Sequence, residues 1–213
     1  MMRQLQSVPS RLLYAMFCLA IFATACAKDK KIKTEKDEAG HVVSTFEVDA
    51  KTGERDGIGK EYYQTGEVLS ESHYVAGKLQ GVRKIFIQDG KLDAEETYEN
   101  GEYEGPYKKY FPDGKVMQTG LYKSGAMEGE WKTYFGSGQL KEIVVFSNNA
   151  ENGPFVEYFE NGKKKAEGHY LNGEFEEGEL KMYNEAGEMT RRMNCKQGVC
   201  QTLWAADTLK QTK

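Results

Sequence analysis

A glycine ladder with a 24-residue period constrains this chain more than any other feature. Gly57, Gly81, Gly105, Gly129 and Gly153 stand 24 residues apart, and Gly178 follows after 25. Nine residues after each comes a second glycine: Gly66, Gly90, Gly114, Gly138, Gly162 and Gly187. Twenty after each comes a third, Gly77, Gly101, Gly125, Gly173 and Gly198, with Asn149 in the fourth copy. These columns hold 17 of the 23 glycines, so what repeats is backbone conformation. Asn tolerates the left-handed region better than other non-glycine residues, so Asn149 keeps the pattern. Aromatics share the period. Tyr62, Phe86, Tyr110, Tyr134, Tyr158 and Tyr183 lie five after the first glycine; Tyr74, Tyr98, Tyr122, Phe146, Tyr170 and then Cys195 lie seventeen after it. Such self-similarity denotes a repeat array whose units bury apolar faces against their neighbours.

Each copy carries two turn signals. One precedes the second glycine, as in Asp89-Gly90, Asp113-Gly114 and Asn161-Gly162; the other precedes the third, as in Asn100-Gly101, Ser124-Gly125 and Asn172-Gly173. Asp-Gly and Asn-Gly between apolar residues are strong hairpin signals, because both central residues accept positive φ. The spans between turns have strand length. The expectation is an all-β fold: an elongated antiparallel β-meander of about six 24-residue hairpin repeats over residues 46–204, with a tail at 205–213. A parallel β-helix with one coil per repeat is the rival. Pro106 and Pro154 follow a first glycine, and proline cannot donate to a ladder, so a break or bulge is expected there.

The N-terminus has different chemistry. Residues 1–11 carry Arg3 and Arg11 and no acid, and residues 12–25 form an uncharged run that ends in small residues. That run is shorter than the ~20 residues a spanning helix needs, so residues 1–25 read as a secretory signal peptide. Ala23-Thr24-Ala25-Cys26 resembles the lipobox of bacterial lipoproteins. The resemblance implies an acylated Cys26 and a lipoprotein of the cell envelope, at the outer membrane rather than the inner. An ordinary cleaved signal and an uncleaved anchor are the other readings. Residues 26–45, rich in lysine and without apolar periodicity, read as the lipidated N-terminus and a solvated tether.

The repeat itself, as in Gly-Pro-Tyr-Lys-Lys-Tyr-Phe-Pro-Asp-Gly-Lys-Val from Gly105 to Val116, resembles the variant MORN repeat of bacterial proteins. The likeness runs from about Gly53 to Gly198. It implies the hairpin array already read from the turns. For function it implies either an antitoxin-like component or an exported protein of undefined role.

Side-chain chemistry points to binding rather than catalysis. Without residues 1–25 the chain has 27 basic and 33 acidic residues, a net charge of −6, which argues against a nucleic-acid partner. His73 and His169 sit at one repeat position four copies apart, on the order of 38 Å, too far to share a metal. No copy ends in the Gly-Lys-Ser/Thr of a phosphate loop, and no metal or cofactor is expected. Lysine recurs three after the first glycine, two before the aromatic column, so the two alternate on one face. The candidate binding surface is therefore Tyr62, Lys84, Phe86, Lys108, Tyr110, Lys132, Tyr134 and Tyr158. Its partner would be a protein or an envelope polymer; the competing reading is a solvated face balanced by Glu71, Glu95 and Glu167. Cys195 and Cys200 flank the last turn at a separation that suits a cross-strand disulfide in an oxidising envelope; a free pair or half a zinc site are the other readings. Leu203 and Trp204 are expected to fold over the open end of the stack. The functional expectation is a lipid-anchored envelope binding or scaffold module, not an enzyme. The alternative is an antitoxin- or immunity-like inhibitor of one partner.

Overall fold

The computed structural model describes residues 29–173 and 175–206. The expected signal peptide, Cys26 and residues 207–213 of the tail lie outside the described residues. Within them every regular element is a strand. In chain order these are β1 (Lys30–Lys36), β2 (Val42–Asp49), β3 (Arg55–Tyr62), β4 (Val68–Val75), β5 (Lys78–Leu79), β6 (Gly81–Phe86), β7 (Leu92–Glu99), β8 (Glu102–Tyr103) and β9 (Gly105–Tyr110). They continue as β10 (Val116–Lys123), β11 (Ala126–Tyr134), β12 (Leu140–Ser147), β13 (Ala150–Tyr158), β14 (Lys164–Tyr170), β15 (Gly178–Tyr183), β16 (Met189–Lys196) and β17 (Val199–Ala205).

All pair antiparallel with their chain neighbours in one open meander, so the parallel β-helix is excluded. β5 and β6 both pair with β4, and β8 and β9 both pair with β7. The seventeen elements therefore fill fifteen positions. The interruptions fall at Gln80-Gly81 and Glu104-Gly105, where the glycines have φ of 80° and 119°. The bulge belongs to the glycine column. Pro106 follows it inside β9 and pairs with Leu121.

The two turns differ. At the third glycine column both central residues have positive φ, as at Asn100 (53°) and Gly101 (91°), the geometry of a two-residue type I′ hairpin. Asn148 and Asn149 do the same at 51° and 67° without glycine. At the second column only the glycine is positive, so these are not type I′ turns. Phe111 N–H bonds Lys115 O while Gly114 N–H bonds Phe111 O, and the ladder slips by one residue beside each such turn. The Asp113 carboxylate accepts Lys115 N–H, which explains Asp at that place without a left-handed backbone.

The array begins earlier than the sequence suggests. The expected tether contains β1, paired along its length with β2, and Ser44, Phe46 and Val48 of β2 are buried. An edge strand borrows order from its neighbour and needs no apolar pattern of its own, so Lys-Lys-Ile-Lys-Thr-Glu-Lys is compatible with a strand. The expected end cap is also corrected. Leu203 and Trp204 extend β17 along the sheet and remain 59% and 44% exposed. The turn at Gln197-Gly198 gives β16 one more partner, and the chain runs on as an edge.

The core lies on one face. Phe46, Ala94, Trp131, Val144, Phe155 and Ala166 point to it, and Phe155 is 3% exposed. No second layer is present among the described residues, so a flat sheet would leave both faces wet. Burial this deep requires the twisted sheet to coil over its own inner face. Aromatic rings run along it: Tyr98–Tyr103 at 4.5 Å, Tyr103–Tyr122 at 4.8 Å and Tyr122–Trp131 at 5.2 Å between centroids. Glycines outside the three columns seat these rings. A Cβ on Gly120 would lie 2.2 Å from Trp131, and one on Gly168 would lie 2.7 Å from Phe155.

Candidate functional site

The opposite, outer face carries the lysine column. Register places its members in one row perpendicular to the strands. Thr45 stands opposite Lys60, then Glu71, Lys84, Glu95 and Lys108 follow in adjacent strands. The row continues through Thr119, Lys132, Ile143 and Val156 to Glu167, Lys181, Arg192 and Trp204. Equivalent residues lie two strands apart, on the order of 9.5 Å. Every hairpin keeps this step because the turns are tied together. Gly101 N–H bonds Leu79 O, Gly125 N–H bonds Tyr103 O and Asn149 N–H bonds Met127 O, each reaching 22 residues back.

A second tie escaped the reading of the sequence. Ser124 N–H bonds Glu104, Asn148 N–H bonds Glu128 and Gln197 N–H bonds Glu177, each through a carboxylate 20 residues earlier. Gln80 accepts from Asn100 N–H in the same way. The signal is present as a column just before the first glycine, Asp56, Gln80, Glu104, Glu128, Asn152 and Glu177, every one an acceptor.

The structure brings the eight candidate residues onto this outer face, in distinct surroundings. Lys84 and Lys108 are exposed, and their ammonium groups have no ion pair or hydrogen bond among the described residues. Lys132 pairs with Glu130 at 3.0 Å. Tyr62 shares a 3.0 Å bond with Thr45, and Tyr110 donates to Glu95 at 2.7 Å. Phe86, Tyr134 and Tyr158 are half-buried. The glutamates that would balance the face lie between the lysines. Lys60 donates to Glu71 at 2.7 Å, and Glu167 accepts from Tyr183. Exposed pairs of this kind contribute about 0–1 kcal/mol each, so they order the surface more than they stabilise the fold. Burial, and then the bond to Glu95, pushes the Tyr110 phenol up to about 12; burial and Glu167 do the same for Tyr183. Both phenols are therefore neutral donors at physiological pH. The row is charge-alternating from Lys60 to Lys108, neutral at Ile143 and Val156, and basic at Lys181 and Arg192.

The inner face carries polar groups along its length: Ser44 donates to Glu35 and Ser70 to Glu61, and burial beside Glu157 raises the Glu142 carboxyl above its ordinary value. Glu96, 9% exposed, accepts from Tyr98 and Tyr103, with the Arg83 guanidinium 3.7 Å away. Glu96 is thus a buried carboxylate with hydrogen-bond partners and an opposite charge beside it, which fixes the rings around it. Among the described residues no three His, Cys, Asp or Glu side chains gather as metal ligands. Cys195 and Cys200 stand directly opposite one another and form a disulfide, with Cα atoms 3.9 Å apart. The spacing reading of a cross-strand bridge therefore describes this pair.

The family model described as MORN repeat variant matches residues 55–76, 79–100, 103–124, 127–148 and 151–172, just over half of the chain. Its five segments end on type I′ turns, so each contains one complete hairpin unit. No curated protein matches the sequence.

Proposed function

Because the chain belongs to the MORN repeat variant family, we propose that it is a binding or scaffold module of the bacterial cell envelope, held there by lipid on Cys26. One observation carries the binding reading. A single in-register row of lysine, glutamate and apolar side chains crosses the whole outer face at a fixed step. Such a row matches an extended partner, a peptide strand or an envelope polymer, that offers groups at the same repeat. Lys84 and Lys108 supply the uncommitted charge, and the half-buried aromatics beside them supply apolar contact. The anchor reading rests on the sequence around Cys26, and Cys26→Ser should move the protein from the membrane fraction to the soluble fraction. Purification from native membranes tests the rest. A scaffold retrieves several envelope components, and replacing Lys84 and Lys108 by Glu should weaken that retrieval. A single stoichiometric partner would instead favour the antitoxin- or immunity-like inhibitor. Membrane association unchanged by Cys26→Ser, with no acyl group on the wild type, would overturn the anchor.

A further inference from the structure

The two edges of the sheet are built differently. β1 carries Lys30, Lys31, Lys33 and Lys36, the usual protection of an edge against pairing with another chain. β17, Val-Cys-Gln-Thr-Leu-Trp-Ala, carries no charge. Val199, Leu203 and Trp204 there are 72%, 59% and 44% exposed. A repeat array needs a polar terminal unit to stay soluble alone. Among the described residues the β1 end has one and the β17 end does not.

We propose that β17 is the contact between two copies of this chain, which pair strand to strand about a two-fold axis. Strand direction decides the arrangement. Fifteen successive antiparallel positions leave β1 and β17 running the same way. A head-to-tail copy would set β1 parallel to β17 and bring four lysines onto the uncharged edge. A two-fold copy sets β17 antiparallel to itself, and no charged residue of the strand from either copy enters the contact. That contact is isologous and closed, so it stops at a dimer. The ladder slips at Leu203, between the Met193–Thr202 and Arg192–Trp204 pairs, so the straight edge is Val199 to Thr202. Leu203 and Trp204 then add apolar side-chain contact beside the paired backbone.

The test uses the full chain extracted from membranes in detergent. Sedimentation at about 10 µM should give twice the chain mass, and Leu203→Lys should weaken the dimer about tenfold or more. Ile32→Glu on β1 should leave the mass unchanged. Far-UV spectra matching wild type establish that each variant is folded. Photoactivatable benzoylphenylalanine in place of Thr202 should join two copies through β17 peptides. A monomer at that concentration, an adduct joining β17 to β1, or an adduct of Thr202 only with a different protein would overturn the proposal.

Discussion

Gly120→Ala should be among the most damaging single-methyl additions in this protein. Gly120 lacks the positive φ of the turn glycines, so alanine suits its backbone. Only space is wanting. An added Cβ would sit 2.2, 2.3 and 2.6 Å from three carbons of the Trp131 ring. Carbon atoms rest about 3.5–4.0 Å apart, so the ring must retreat by roughly 1 Å or more. It has little room, being 4% exposed and held by Tyr107 at 5.4 Å, Tyr122 at 5.2 Å and Phe146 at 6.0 Å. Overpacking costs about 1–3 kcal/mol, and a ring locked on three sides places this case near 2–3 kcal/mol. Gly136→Ala is the control, since its φ is also not positive and nothing lies within 4 Å; it should stay within about 0.5 kcal/mol. The chain has two tryptophans, so in a Trp204→Phe background Trp131 emission reports the site alone. Urea unfolding followed by that emission gives the difference, and hydrogen exchange should show lost protection centred on β10 and β11. Equal stability of Gly120→Ala and Gly136→Ala would refute the ring-seat account of the inner face.

Two further predictions concern chemistry at the ends and on the outer face. Replacing Cys195 and Cys200 with Ser should reduce exchange protection over residues 178–204 well before the middle repeats. The stability loss should stay below the ~3 kcal/mol of a 15-residue loop, because this loop is shorter; uniform loosening of all repeats would contradict it. Tyr110 and Tyr183 ionise at about 12 when folded, against about 10 unfolded. Their contribution is thus intact below pH 10 and is lost as pH rises to 12. Tyr110→Phe with Tyr183→Phe should flatten the alkaline fall in melting temperature, and an unchanged slope would remove these phenols as its source.

Much of the fold was legible because it is written in backbone requirements. Asn-Gly demanded a left-handed pair, and Asn149 stood in for glycine with φ of 67°. The Cys pair was legible through its turn. The first-turn Asp residues were misread, since a side-chain bond to the backbone and a left-handed φ leave the same Asp-Gly letters. Strand β2 straddles the boundary expected at residues 45 and 46, its alternation that buries Ser44, Phe46 and Val48 went unread, and lysine density hid its partner β1. Tryptophan at an open end suggested a lid; backbone pairing with β16 outweighed burial of Leu203 and Trp204. On the outer face, the alternation of Lys with Tyr predicted which side chains share a face. The same reading named Glu71 and Glu95 as balancing charges, and their places between the lysines follow from pairing across the bulges at Gln80-Gly81 and Glu104-Gly105.

The binding role of the outer row is tested most directly by photo-crosslinking in living cells. Benzoylphenylalanine in place of Lys84 or Lys108 should give discrete adducts with an envelope partner. The same group in place of Gln64, exposed on a turn away from the row, should give none. Adducts absent from both row positions, or equally strong at Gln64, would contradict the account.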